Sequence, residues 1–328
     1  MDWNMEYINP LVFWLVIQLF GLIGLPIAFT LFKNLPDRGY PFAKSLGLLL
    51  SGYVLWLGGS FGLLHNHTGG TLLAMLVVSC FGLIWYHQHA NANLWHWLRD
   101  NKSYILTVET IFIVTFLVWT FYKAHNPQIE TAGGEKWMEI AFINSSLISQ
   151  SFPPQDPWLS GFGISYYYFG YVLMAMLIRL SGIVSTTAFN LLIPTLFGLT
   201  LISAFSIVAN LVAVYQRESH PQPFQFENKG PGMRSLMPGL LGALFVGIMG
   251  NLHGLLEVFY SRAWFSAGFW EWLDIRDLNT PPTKVGAWIP ERFYWWWRGS
   301  RVLTDYNLAG HEQEVIDEMP FFSFLQMF

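Results

Sequence analysis

Residues 11–32 read LVFWLVIQLFGLIGLPIAFTLF, a run without one charged side chain. A helix of about 20 such residues rises about 30 Å and spans the hydrocarbon core of a bilayer. Comparable runs follow at Phe42–Leu64, Thr71–Tyr86, Tyr104–Tyr122, Tyr166–Ile183, Thr186–Tyr215 and Leu236–Phe259. Thr186–Tyr215 is long enough to be tilted, or broken at Pro194. Hydrophobic residues make up 53% of the 328 and charged residues 12%, about half the roughly 25% of a soluble domain. That leaves too little charge to cover a soluble core, and disorder needs the opposite composition. Mean hydropathy is +0.37. The expected fold is all-α, a polytopic integral membrane protein with about seven or more transmembrane helices. With a net charge of −4 and no long basic run, nucleic acid is excluded as a partner and the lipid bilayer is the first one implied. The lone Cys80 permits no internal disulfide.

Sidedness is read from Lys and Arg in short loops. Lys33, Arg38 and Lys44 follow the first span, and Arg99 and Lys102 precede the fourth. Both loops are therefore expected in the cytoplasm and the N-terminus outside, where Asp2 and Glu6 replace the basic start of a cleavable signal. Alternation then puts Lys123–Ser165 outside, a segment too long for a bare connection. Arg217, Lys229 and Arg234 fall in a loop that alternation also places outside. Either a span is miscounted in the second half, or those charges do not decide topology. Two parts are not ordinary loops: the external loop 123–165 and a Trp-rich tail 261–328. The closing FFSFLQMF, residues 321–328, looks like the opening of another span, so an incomplete chain is expected.

In the external loop, Gly133 and Gly134 precede EKWMEIAFINSSLI, residues 135–148. Trp137, Ile140, Ala141, Asn144 and Leu147 recur at helical spacing, which predicts a short amphipathic helix lying in the interface. Glu135 and Glu139 share one face of it, with Glu135 at the N-terminus where an anion is favoured. FPPQDPWLSG, residues 152–161, is a rigid turn presenting Asp156, and YYYFGY, residues 166–171, returns to the membrane. Taken singly, the acids read as a solvated face and the tyrosines as an aromatic belt. Carboxylates, a Pro-Pro turn and a triple Tyr together in one loop point to a site.

The stretch GGEKWMEIAFINSSLISQSFPPQDPWLSGFGISYYYFGY, residues 133–171, closely resembles the signature of the YYY-domain membrane proteins, an uncharacterised prokaryotic family of Chloroflexi and archaeal type. WWWRGSRVL, residues 295–303, and IDEMPFFSFL, residues 316–325, resemble its second block. Members usually carry Pro where Trp137 stands and Asp where Glu139 stands, and they continue into an Asp-Leu-His-Pro-His motif that this chain does not reach. The loop is also similar to the first external loop of the GT-C glycosyltransferases, where an acidic residue opens a short helix and a Pro-Pro turn and Tyr-rich span follow. That resemblance implies an enzyme of the prokaryotic plasma (inner) membrane that moves a sugar from a polyprenyl-phosphate carrier, a lipid-linked sugar, to an acceptor at the outer face. It also makes residues 1–102 an N-terminal three-span addition ahead of a GT-C-like core, residues 103–328. It puts Glu135 in the role of general base or ligand to a divalent metal, the one cofactor implied, and Asp317 or Glu318 in that of the second acid. Arg298 and Arg301 become the phosphate partners, with Glu139, Asp156, Tyr166, Tyr167 and Tyr168 around the substrate.

Other readings stand beside it. A non-catalytic scaffold subunit among other membrane subunits fits an incomplete chain, and a transporter or lipid flippase calls for more ionisable residues at mid-span. The aromatic clusters at Trp264–Trp272 and Phe293–Trp297 read as an interfacial belt, or as a platform for sugar rings or the lipid carrier. His65 and His67 lie a whole span away from His87 and His89, so the two pairs cannot clamp one haem. His253 and Glu257, four apart, read as a structural polar pair.

Overall fold

A computed structural model describes residues 8–125, 127–129, 135–219, 229–247, 252–273 and 302–316, together with 275, 278, 288–291 and 295. The chain forms two compact units, Met1–Leu244 and Phe245–Phe328. In the first run α1 (Asn9–Leu31), a 3-10 turn (Tyr40–Phe42), α2 (Ala43–Ser60), α3 (Thr68–His89), α4 (Leu94–Asp100), α5 (Lys102–His125), α6 (Lys136–Ile148), α7 (Phe169–Ser181) and α8 (Ser185–Ser219). Helix α9 (Met233–Gly247) carries the chain onward to α10 (Leu252–Ser261), α11 (Ala267–Leu273) and an antiparallel hairpin of β1 (Val302–Tyr306) and β2 (Glu312–Ile316). The chain is thus helical as expected, with the hairpin as the departure. Among the described residues, five segments are long and apolar enough to cross a membrane: α1, Tyr40–Ser60, α3, α5 and α8. This is an integral membrane protein.

Small residues let the first helices meet. A Cβ on Gly24 would fall 2.1 Å from the Ala43 carbonyl oxygen, and one on Gly47 would fall 1.9 Å from that of Phe20. Only glycine admits so close a crossing of α1 and α2, and backbone contact of this kind is how helices associate inside lipid. Helix α3 packs on both, α5 packs on α8, and α7 touches α1, α2, α3 and α8. Phe13, Phe20, Leu55, Phe112, Phe116 and Phe205 fill the core.

Hydrogen bonds sort the helix ends onto two faces. On one, the Asn190 amide at the start of α8 donates to Pro127 O (3.0 Å) just beyond α5, and the Asn66 N–H between α2 and α3 donates to Gln150 O (2.9 Å) just beyond α6. On the other, fully buried Asp37 accepts from the hydroxyls of Tyr104 (2.8 Å, α5) and Ser206 (2.5 Å, α8), while its N–H donates to Asn210 Oδ1. The Gly230 N–H donates to Asn101 Oδ1 on this second face, and Arg38 donates to Asn91.

This sorting corrects the expected crossing at Tyr166–Ile183. Helix α7 has 13 residues, hence about 20 Å of length against a core of about 30 Å. The Tyr168 hydroxyl, at its start, accepts from Trp56 Nε1 (2.9 Å), one turn before α2 ends on the α6 face. Arg179, near its end, donates to Asn66 Oδ1, Thr71 Oγ1 and the carbonyls of Ser146 and Leu147 at 3.1–3.4 Å. Both ends are tied to the α6 face, so α7 leaves and returns on one side. Helix α8 then runs from that face to the Asp37 face. The expected span Leu236–Phe259 is divided between α9 and α10, two helices of 15 and 10 residues, with 248–251 outside the described residues.

The predicted interfacial helix is α6. Its buried side is Phe142, Ile143, Ser145 and Ser146, while Trp137 and Asn144 are exposed. Of the residues that recur at helical spacing, Ile140, Ala141 and Leu147 are half-buried. Ser145 donates to the Gln155 carbonyl, and the Ser146 carbonyl accepts from Asn66 and Arg179, so hydrogen bonds from small residues make the inner contact. In the second unit the His253–Glu257 pair forms at 3.1 Å, with Glu257 buried. The Arg262 guanidinium lies over the Trp288 ring there, 4.4 Å from its centroid. His67 acts locally, its Nδ1 accepting the Gly70 N–H to cap α3.

Candidate functional site

Helix α6 separates two environments. At about 100° per residue, Glu135, Glu139 and Phe142 project to one side and Trp137 and Ile140 to the other. On the first side, the buried Phe142 ring packs against Trp158 (5.4 Å between centroids), Tyr166 (5.9 Å) and Tyr171 (5.4 Å). The Tyr166 and Tyr167 rings lie 4.0 Å apart and the Tyr166 hydroxyl donates to that of Tyr167 at 3.1 Å. Glu135, exposed where α6 begins, stands within electrostatic reach of Tyr166 and Tyr171, and Glu139 within reach of Tyr171. The result is a wall of aromatic faces with two carboxylates at its edge.

The carboxylates differ. Partial burial, then the charge of Glu135, pushes the Glu139 carboxyl above the ordinary carboxylate range, with Lys136 opposing the shift. The Tyr166 phenol is pushed up to about 12, first by its hydrogen bond to Tyr167 and then by desolvation and the Glu135 charge. It stays a neutral hydroxyl over the physiological range. The turn 152–164 holds the aromatic wall in place. The Asp156 N–H donates to Phe162 O, the Ile164 N–H donates to Pro154 O, and the Ser149 hydroxyl accepts from the Gln155 N–H.

Of the residues expected in the site, the structure gathers Glu135, Glu139, Tyr166 and Tyr167. Asp156 Oδ1 accepts the N–H groups of Trp158 and Leu159, which commits it to closing the turn. Tyr168 points toward Trp56 and anchors α7. Arg298, Arg301, Asp317 and Glu318 lie outside the described residues. Among the described residues, no three His, Cys, Asp or Glu side chains are grouped to hold a metal ion.

Sequence reasoning missed Arg179 and Asn66, which fasten α6 to α7 and to the turn between α2 and α3. An Arg near the end of a short apolar run was the available signal. It also missed the other side of α6. There a cavity of about 680 Å³ lies between the ends of α1, α5 and α8, with Lys123 and Asn190 in its lining.

No curated protein and no solved structure matches the chain. A family model does match over residues 50–327, from within α2 to beyond β2. By that match the chain belongs to the family described as "Uncharacterized membrane protein (DUF2298)".

Proposed function

We propose that the chain is a glycosyltransferase of the external membrane face that takes a sugar from a polyprenyl-phosphate carrier. The observation that carries this reading is the placement of Glu135 and Glu139 beside the aromatic wall of Phe142, Trp158, Tyr166, Tyr167 and Tyr171. The C–H faces of a sugar ring pack on aromatic faces, while its hydroxyls need acceptors and donors at the edge. Glu135, exposed and beside that wall, takes the proton of the acceptor hydroxyl as a general base. The acceptor oxygen bonds to the sugar's anomeric carbon, and the carbon–oxygen bond to the carrier phosphate breaks, its electron pair leaving with the phosphate. Glu139, on the same side of α6 and within reach of Tyr171, hydrogen-bonds a sugar hydroxyl. In the same reading Arg298 and Arg301 meet the departing phosphate, and Asp317 or Glu318 supplies the second acid.

Sidedness supports it. With α7 returning to its own side, Lys33, Arg38, Arg99, Lys102, Arg217, Lys229 and Arg234 all belong to the Asp37 face. By the positive-inside rule that face is cytoplasmic, and α6 and the N-terminus are external.

The test is Glu135→Gln in membrane vesicles given a radiolabelled polyprenyl-phosphate sugar. Transfer should fall at least about 100-fold with no change in thermal stability; full activity in the variant would sink the assignment. Chelation by EDTA separates the two roles: activity is kept if Glu135 acts as a base alone and lost if it holds a divalent metal.

A further inference from the structure

The cavity on the far side of α6 is built like a ligand site. Its wall includes Lys123 from the last turn of α5, Thr120 one turn before it, and Asn190 from the start of α8. Lys123 is 8% exposed, lines the cavity, and makes no hydrogen bond or ion pair among the described residues. Thr120 Oγ1 and Asn190 Oδ1 are buried on the same wall and likewise lack partners among the described residues. Lys136 stands within electrostatic reach of Lys123 and adds a second positive charge. Pro10, Ile129, Trp137 and Ile140 make the remaining lining largely apolar.

Lys123 thus presents its charge to the cavity without a counter-charge among the described residues, and the buried Thr120 hydroxyl and Asn190 amide oxygen beside it leave hydrogen bonds unmade. A fold retains such groups together where a ligand completes them. The missing group must be an anion to answer Lys123. It must also offer oxygens to the Thr120 hydroxyl and a hydroxyl proton to Asn190 Oδ1. A phosphate group that keeps one P–OH, a monoester monoanion or inorganic hydrogen phosphate, supplies all of these.

We propose that this cavity binds a phosphate group, as a monoester or as inorganic phosphate, with Lys123 as its counter-charge and Thr120 and Asn190 as its hydrogen-bond partners. The site lies across α6 from Glu135 and needs no transfer reaction, so it stands or falls separately from the glycosyltransferase reading. The anion comes from a lipid headgroup or from free phosphate, and the two are separable by experiment.

The full chain, purified in maltoside micelles, is melted by tryptophan fluorescence during titration with dioctanoyl phosphatidic acid, inorganic phosphate or dioctanoylglycerol. The expected result is a saturable rise in Tm with phosphatidic acid and none of that size with dioctanoylglycerol. Lys123→Gln should weaken binding about tenfold or more, and Lys123→Arg should preserve most of it. A full response to inorganic phosphate assigns the site to free phosphate, while a response to phosphatidic acid alone assigns it to a lipid headgroup; either supports the proposal. Equal shifts from dioctanoylglycerol and phosphatidic acid overturn it, as does unchanged binding in Lys123→Gln. Without ligand, Lys123→Gln should melt at or above the wild-type temperature, because it removes a charge with no partner among the described residues. A clear fall would make Lys123 structural and also overturn the proposal.

Discussion

Glu109→Gln is the sharpest test of how the first unit is held together. Glu109 lies about two turns inside α5 and accepts three hydrogen bonds: from Lys44 Nζ (2.5 Å), the Tyr40 hydroxyl (2.9 Å) and Gln18 Nε2 (3.3 Å). Lys44 is 4% exposed and Glu109 26%, so α1, α2 and α5 meet on a largely buried charge pair. Removing one partner of such a pair costs about 3–5 kcal/mol, since the other charge stays behind uncompensated. Glu109 is a quarter exposed, which places Glu109→Gln near the lower end, at about 3 kcal/mol. Lys44→Met should cost less, about 1–2 kcal/mol, because Tyr40 and Gln18 still donate to the carboxylate. The double variant Lys44→Met/Glu109→Gln removes both charges, keeps an amide oxygen to accept from Tyr40 or Gln18, and should lie within about 1 kcal/mol of wild type. Melting in maltoside micelles at roughly 2 °C per kcal/mol for a chain of this size gives a drop of about 6 °C for Glu109→Gln and near-recovery in the double variant. If the two single losses simply add, the pair is not coupled and the reasoning fails.

Two further outcomes follow from the α6 face. Glu139→Gln should raise the melting temperature at pH 7 and leave it unchanged at pH 4. The fold raises the Glu139 pKa, so it penalises the charged form only. That penalty is absent below the ordinary carboxylate range and grows as pH rises through the raised value; equal gains at both pH values refute it. For topology, single cysteines at Ser151 and Ser219 in a chain with Cys80→Ser should label differently with an impermeant maleimide on intact cells. Ser151 should react and Ser219 should react only after lysis, whereas a fully crossing α7 makes both reactive together.

The topology of α7 shows what hydropathy can and cannot report. The five long crossing segments were legible within a few residues, as in residues 11–32 for Asn9–Leu31 and 104–122 for Lys102–His125. There lipid is the only surrounding that rewards so long an apolar run, and α6 was legible because its 3.6-residue period stands out within a long, turn-rich loop. Residues 166–183 are apolar for a different reason. Val172, Met176 and Leu177 are fully buried in protein, against the helices that α7 touches. Burial in protein and burial in lipid leave the same composition, so a hydropathy window cannot tell them apart. Length can, because 13 helical residues do not span about 30 Å. Lys44 was misread for a related reason: counted as a loop charge, it is spent on Glu109 inside the bundle. Partners of that kind are set by tertiary contacts some 65 residues away in the chain and leave no local pattern. Yet the decisive clue was present as a contradiction. Seven alternating spans forced Arg217, Lys229 and Arg234 onto the side opposite Lys33, Arg38, Arg99 and Lys102. Removing one crossing between α6 and α8 reverses every later assignment and brings all seven cations to one face. A single change that removes an independent conflict argues that those charges belong together on one side of the membrane, which is the arrangement the proposed external placement of α6 requires.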